Sequence, residues 1–368
     1  MMKIAYDHLI FSEQKYGGIS RYIAELASRL DHQGENVKIF APLYQNHYLA
    51  DLPARMVTGR GFTKFPPKSA LLLKPFNNAI CDKQISNWNA DILHKSYFDW
   101  PSRRTVNTPT VITLYDMIYE LFSEMTGPFN NIVNLKKAAI ENADHVICIS
   151  ESTKRDAIGI LGLSEDKFSV VPLGTASFKT GKRDKQIFDP VGRPYLLYVG
   201  KRAGYKNFNG FLSAVSKSPR LLQDFSIVAF GGKKFSRLEL REIHKLGFAE
   251  GQVTQIAGSD ELLGTYYRYA EAFIFPSKYE GFGLPPLEAM AQECPVVSSN
   301  TSSMPEVIGN AAEFFDPYDA EEMLQAIEAV VYSPSRRDEL LTLGKERLKN
   351  FTWEKCAGRT LRVYKNLI

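Results

Sequence analysis

Two doubly wound α/β domains joined by a linker are the architecture this sequence predicts. Three observations carry that expectation. The chain has 368 residues, longer than a single hydrophobic core usually grows, so it should divide. Short apolar runs alternate with helical patterning along its length, the order required by parallel sheets with helices on both faces. Between two such series lies ASFKTGKRDKQIFDPVGRP (176–194), polar, basic and punctuated by Gly and Pro, which reads as an interdomain linker.

The first series opens at the N-terminus. KIAYDHLIF reads as a strand. A Gly17-Gly18 turn follows, then ISRYIAELASRL, whose Ile19, Tyr22, Ile23, Leu26 and Leu30 fall on one helical face. VKIFAP, DILHKS, TVITLYD and HVICIS are apolar runs suited to strands covered on both faces. ESTKRDAI carries a helix start, with Ser150 or Ser152 as the cap. The second series begins at Pro194, where YLLYVG, FSIVAFGG, VTQIAG, EAFIFPS and PVVSSN are strand-like and each precedes a helical pattern. Helical segments at 334–350 and 353–366 close the chain. The expected domains are 1–178 and 179–352, with the helix in 353–368 crossing back to the first.

Composition excludes several classes. Lys and Arg number 45 against 41 Asp and Glu, a net charge of +4, too mild for a nucleic-acid partner. Cys81, Cys148, Cys294 and Cys356 are scattered, with no CxxC or Cys/His cluster, so neither a zinc site nor a disulfide framework is expected. MMKIAYDHLIF enters a strand pattern without a leader-like run, and no stretch of 18 apolar residues occurs. A cytoplasmic protein is expected. Residues 52–81 stand apart. They hold Arg55, Arg60, Lys64, Lys68 and Lys74 and no acid, interleaved with Phe62, Phe65, Leu71, Leu72, Leu73 and Phe76. Such a basic, apolar surface suits anionic headgroups or a lipid-linked phosphate, so peripheral membrane contact is expected there.

Ligands of doubly wound sheets gather at the carboxyl ends of the strands, which directs attention to two loops. In YLLYVGKRAGYKNF, Lys201, Arg202 and Lys206 follow a strand and Asn207 opens the next helix. Three cations there would neutralise a diphosphate, which Arg can grip through two parallel hydrogen bonds. In EAFIFPSKYEGFGLPPLEAMAQ, Gly281 and Gly283 permit a tight turn and close backbone approach to a ligand. Pro285 or Pro286 suits the first turn of a helix, whose free N–H groups and dipole would make an anion site. Glu280 then precedes the turn and Glu288 lies one turn into the helix. Carboxylates beside a phosphate should grip neutral hydroxyls on either side of it. Hydroxyls, a diphosphate and more hydroxyls describe a nucleotide sugar.

Glu, seven residues and Glu, with GFGLP after the first, resembles the signature of the retaining glycosyltransferases of family 4, of the GT-B fold. The resemblance runs almost end to end through GGISRY, TLYD (113–116), ISESTKRD (149–156), VVPLG (170–174), YVGKRAGYKNF and CPVVSSNTSSMPEV (294–307). It implies two Rossmann-like domains facing a central cleft. It also implies that Glu280 binds the donor sugar, Glu288 the ribose, and Arg202 and Lys206 the diphosphate, with Lys201 near the position where many members carry the Arg. Gly17 and Gly18 would sit against the phosphates or the acceptor, and Gly281, Phe282, Gly283 and Leu284 would line the sugar. One departure stands out. Many relatives carry His-Asp where this chain has Tyr115-Asp116. Tyr115 could supply a hydrogen bond there but is a poor base near neutral pH, which makes Asp116 or His94 the substitutes for the base.

These readings imply transfer of a hexose from a nucleoside diphosphate sugar to a saccharide or polyprenyl-linked acceptor in surface polysaccharide synthesis, with GDP-mannose the first donor to test. The YVGKRAGYKNF loop is similar to those of bacterial O-antigen and capsule mannosyl- or rhamnosyltransferases. No Asp-x-Asp pair occurs, and side-chain cations can replace a metal, so no metal or other cofactor is expected. No carboxylate presents itself as a covalent nucleophile. A nicotinamide-dependent oxidoreductase is the weaker rival, since no G-x-G-x-x-G follows a predicted strand. Two further rivals are a sugar-nucleotide epimerase or hydrolase of the same fold and a non-catalytic sugar-nucleotide-binding subunit.

Overall fold

A computed structural model describes residues 1–66, 70–100, 108–122, 131–175, 192–202 and 204–368. The chain forms two compact units, one of Met1–Gly174 with Trp353–Ile368 and one of Thr175–Thr352. The expected division at 178/179, and most of the proposed linker, lie outside the described residues.

In the first unit the strands are β1 (Lys3–Tyr6), β2 (Asn36–Tyr44), β3 (Val57–Gly61), β4 (Ile92–Lys95), β5 (Thr110–Leu114), β6 (His145–Cys148) and β7 (Phe168–Val170). They pair in the order β3-β2-β1-β4-β5-β6-β7, in parallel throughout. The central strands are buried along most of their length, as expected of parallel strands covered on both faces. β6 is buried at every position. The helix Gly18–His32 turns Tyr22, Ile23, Leu26 and Leu30 inward, and Ser150 accepts the Thr153 N–H to cap the helix Glu151–Leu161.

Two elements differ from expectation. KIAYDHLIF is a strand only to Tyr6, and a short helix, Leu9–Glu13, follows. Asp7 ends the strand, its carboxylate accepting from the N–H groups of Leu9 and Ser96. The stretch 52–81 contains the edge strand β3, whose VTGRG has none of the apolar alternation that marks a strand. Its cations are also less free than the sequence suggests. Arg55 forks onto both carboxylate oxygens of Asp31, and Lys74 lies 2.9 Å from Asp99. The basic surface expected over 52–81 is weakened accordingly. Lys68 lies outside the described residues.

The helix Trp353–Lys365 belongs to this first unit and packs on Gly18–His32. Its start is set by close approach. A Cβ at Gly174 would stand 2.5 Å from the Trp353 nitrogen, a distance no side chain tolerates. Its far end carries Tyr364, whose hydroxyl meets the Tyr6 hydroxyl at 3.2 Å.

In the second unit β8 (Tyr195–Val199), β9 (Ser226–Phe230), β10 (Val253–Ile256), β11 (Ala272–Phe275), β12 (Val296–Ser299) and β13 (Glu313–Phe315) form a sheet ordered β10-β9-β8-β11-β12-β13. The strand pairs are parallel. Phe208, Phe211, Ile227, Ile274, Val297, Ile327 and their neighbours form one continuous core on this sheet. The four cysteines are free and buried. Among the described residues no helix is long and apolar enough to cross a membrane.

Candidate active site

Strand order locates the site in the second unit. The order reverses direction between β8 and β11, and the crevice beyond such a switch point is where doubly wound sheets bind ligands. The loops leaving these two strands are the ones carrying the candidate cations and carboxylates. They are tied together, with the Lys278 N–H donating to the Tyr205 carbonyl at 2.7 Å. Tyr198, buried on β8, donates to the Lys201 carbonyl at 2.5 Å and shapes the first loop from within. Asn207 takes a left-handed conformation, φ 54°, to enter the helix Phe208–Ser216.

This arrangement brings Lys206 and Glu280 together as an ion pair, Nζ to Oε1 at 2.5 Å. The Lys206 ammonium also lies 5.2 Å from the Tyr205 ring centre and 5.9 Å from that of Phe275. Only 19% of the lysine side chain and 11% of the glutamate side chain are exposed, so water screens the pair far less than a surface contact.

Glu280 is held by hydroxyls from the loop after β12. The Ser302 hydroxyl accepts the Glu280 N–H at 2.9 Å and stands 3.0 Å from the Glu280 carbonyl. The Ser303 hydroxyl lies 2.8 Å from the Glu280 carbonyl and 2.9 Å from that of Phe282. Phe282 is buried against Phe351. Gly283, at φ 106°, turns the chain into the helix Leu284–Ala291, in a conformation that favours glycine. The anion site expected at this helix start needs correction. Leu284, Pro285 and Pro286 occupy its first three positions, and the two prolines carry no N–H, so of these three only Leu284 has one to offer.

Arg202 is engaged elsewhere. Its Nε donates to Glu239 at 2.9 Å, one terminal nitrogen donates to the Lys233 carbonyl at 2.7 Å, and its plane lies over Phe235. The other terminal nitrogen, Nη1, is buried and meets no hydrogen-bond partner among the described residues. Glu239 is fixed in turn by its capping box with Ser236. Lys201 is exposed. Glu288 is half-buried in the second turn of its helix and accepts from Tyr267 at 3.4 Å. Burial, with Glu288 alongside, pushes the Tyr267 hydroxyl well above its ordinary pKa, so it stays a donor.

The remaining candidates belong to the first unit. Gly17 caps the helix Gly18–His32 in extended backbone, φ 172°, and no side chain crowds Gly18. Asp116 is partly exposed. Its carbonyl accepts from Lys136 at 2.9 Å, and the same buried ammonium reaches Glu120 at 2.8 Å. Tyr115 does not supply the hydrogen bond considered for it, since its hydroxyl is buried, makes none of normal geometry among the described residues, and its ring packs edge-on against Tyr22. Burial raises its pKa well above 10. His94 is a core residue, not a base. Its ring nitrogens meet the Tyr364 hydroxyl and, at 2.9 Å, the Thr113 hydroxyl, and burial lowers its pKa to about 3.

Sequence reasoning missed Ser302, Ser303, Glu239 and Lys136. The run SSNTSS and the Ser236-x-x-Glu239 box were visible as patterns, but nothing in them indicates which distant carbonyl or guanidinium they meet.

A family model described as Glycosyltransferase Family 4 matches residues 16–176, and one described as Glycosyl transferases group 1 matches residues 180–347. The chain belongs to glycosyltransferase family 4. This glycosyltransferase is similar to O-antigen chain mannosyltransferase B of Escherichia coli, at 29% identity over 95% of this chain and 96% of that protein. Sucrose-phosphate synthase from Thermosynechococcus elongatus has the same fold, with a TM-score of 0.77 at 21% identity and coverage of 100% and 99% of the two chains. So does WaaG, a glycosyltransferase involved in lipopolysaccharide biosynthesis, with a TM-score of 0.72 at 14% identity and 99% coverage of both. That shared architecture is the GT-B fold.

Proposed function

We propose that this glycosyltransferase moves a hexose from a nucleoside diphosphate sugar, with retention of anomeric configuration, to a saccharide or polyprenyl-linked acceptor in surface polysaccharide synthesis. The carrying observation is the Lys206–Glu280 pair at the switch point of the second sheet. It sets a cation for a departing diphosphate beside a carboxylate for a sugar hydroxyl. Glu288, one helical turn on, is the ribose ligand in this reading. The mannosyltransferase of Escherichia coli supports mannose as the sugar and GDP-mannose as the first donor to test.

Glycosyl transfer passes through an oxocarbenium-like state while negative charge grows on the leaving diphosphate. A preorganised ammonium at that position stabilises the transition state more than the ground state. In a front-face reaction the leaving phosphate itself helps to deprotonate the acceptor. The cations take the role a metal would otherwise have. The protein would act at the inner face of the membrane, where Arg60 and Lys64 are the cations of 52–81 that remain, among the described residues, to meet a lipid-linked acceptor.

A thermal-shift panel of UDP-, GDP- and dTDP-sugars tests the reading, because a ligand at 100 times its Kd adds about 2.7 kcal/mol of stability. The selected donor is then turned over with and without acceptor, and product stereochemistry is read by NMR. Stabilisation by no nucleotide sugar would overturn the proposal, as would an inverted product for the retaining mechanism.

A further inference from the structure

The loop after β12 runs alongside the loop after β11 and meets it through hydroxyls. Ser299 donates to the Ser277 carbonyl at 2.5 Å and Thr301 to the Lys278 carbonyl at 3.0 Å. Ser302 and Ser303 both reach the Glu280 carbonyl, and Ser302 also takes the Glu280 N–H. The main chain of Glu280 is therefore bonded on both sides of its Cα. Ser303 is fully buried, and Ser302 adopts φ 50°, a backbone conformation unusual for a residue with a side chain. Strain of this kind persists only where surrounding contacts enforce it.

We infer that Ser302 and Ser303 are positioning residues for glycosyl transfer. Their hydroxyls fix the Glu280 backbone, and through it the direction in which the carboxylate leaves the chain towards Lys206. Neither hydroxyl need touch the donor. The inference rests on the reading of Glu280 as the ligand of the transferred sugar. A carboxylate that grips a sugar in the transition state loses most of its effect if it is misplaced by about 1 Å.

Two variants separate positioning from folding. Ser302→Gly removes the hydroxyl and also relieves the left-handed backbone, so lost hydrogen bonds and relieved strain oppose one another in stability, and a merely structural serine predicts an unchanged rate. Ser303→Ala removes the second hydroxyl from a fully buried site. Each variant is compared with the wild type in nucleoside diphosphate release from the donor selected by the UDP-, GDP- and dTDP-sugar panel. Binding of the matching free nucleoside diphosphate, which lacks the sugar, is measured in parallel.

The expected result is a fall in kcat of at least tenfold in Ser302→Gly, with nucleoside diphosphate affinity within twofold and the folded state retained at the assay temperature. Ser303→Ala should move kcat in the same direction. A kcat within twofold of wild type in Ser302→Gly overturns the inference, as does an equal loss in free nucleoside diphosphate affinity. Glu280→Gln distinguishes the two levels. Near-normal turnover in that variant sinks the reading of Glu280 itself, whereas a large loss there with none in Ser302→Gly sinks only the positioning role.

Discussion

Lys206 and Glu280 meet at 2.5 Å although 74 residues separate them in the chain. They are brought together because β8 and β11 are neighbours in the sheet and their loops are tied by the Lys278–Tyr205 hydrogen bond. A lysine so placed has a defined position before any substrate arrives. Removing one preorganised donor of this kind typically costs about 3–4 kcal/mol of barrier, or 10²–10³-fold in rate. Lys206→Ala should lower kcat by about that factor while circular dichroism and gel filtration stay those of the wild type. Turnover near the wild-type rate would remove Lys206 from the reaction.

Glu280 and Glu288 should separate kinetically. Glu288→Gln is expected to weaken free nucleoside diphosphate binding roughly tenfold, about 1.4 kcal/mol, because its proposed partner is the ribose. Glu280→Gln should leave that affinity almost unchanged and act on kcat. Isothermal titration of both variants with the nucleoside diphosphate decides the matter, and equal losses would show that the division of roles is wrong.

Turnover should persist in excess EDTA, since in the proposed reading Lys206 takes the place of a bridging cation. Loss of activity on chelation, restored by Mg²⁺ or Mn²⁺, would assign a metal to the reaction.

His94 predicts a dependence of stability on pH. Burial lowers its pKa from 6.5 to about 3 in the folded protein. The unfolded chain therefore binds the proton first as pH falls. The contribution to stability is complete above pH 6.5 and is lost progressively towards pH 3, at up to about 1.4 kcal/mol per pH unit. His94→Gln should be less stable than wild type at pH 7.5, with a gap in melting temperature that narrows steadily towards pH 4.5. A gap independent of pH would show that the imidazole is not what titrates.

Gly174→Ala should destabilise the protein by about 1–3 kcal/mol, the range for overpacking a filled site. The new methyl group would collide with the main chain at Trp353, which cannot move aside as a side-chain tip would. A denaturant melt checks this, and wild-type stability would mean that the Trp353 backbone relaxes at little cost.

Much of the fold is legible in the sequence where strands are covered on both faces. TVITL, HVIC and AFIF announce themselves by apolar and β-branched residues at nearly every position, and ILHK by its first two. VTGRG does not, because β3 lies at the sheet edge and only Val57 among its side chains is apolar. The Glu280–Glu288 spacing is legible for the same reason as any helix start, from local chemistry alone. What Glu280 touches is not. Its partners Lys206, Ser302 and Ser303 come from the loops of other strands, and their meeting depends on strand order, which no local pattern encodes. The two prolines are legible as residues, yet their effect on the count of N–H donors depends on which helical positions they occupy. Tyr115 and His94 are the counterpart in the first unit. Each follows or ends a strand, as a catalytic residue would, and only the inward direction of the side chain makes it structural.

The helix Trp353–Lys365 has a consequence for synthesis of the chain. Translation delivers Thr175–Thr352 whole before Trp353–Ile368 emerges, so the second unit can complete its fold first. The unit begun earlier must wait, its buried His94 without the Tyr364 hydroxyl until Trp353–Ile368 has followed. A released chain truncated after Thr352 would thus keep the whole second unit, while its older half, without the helix Trp353–Lys365, would be open to proteases.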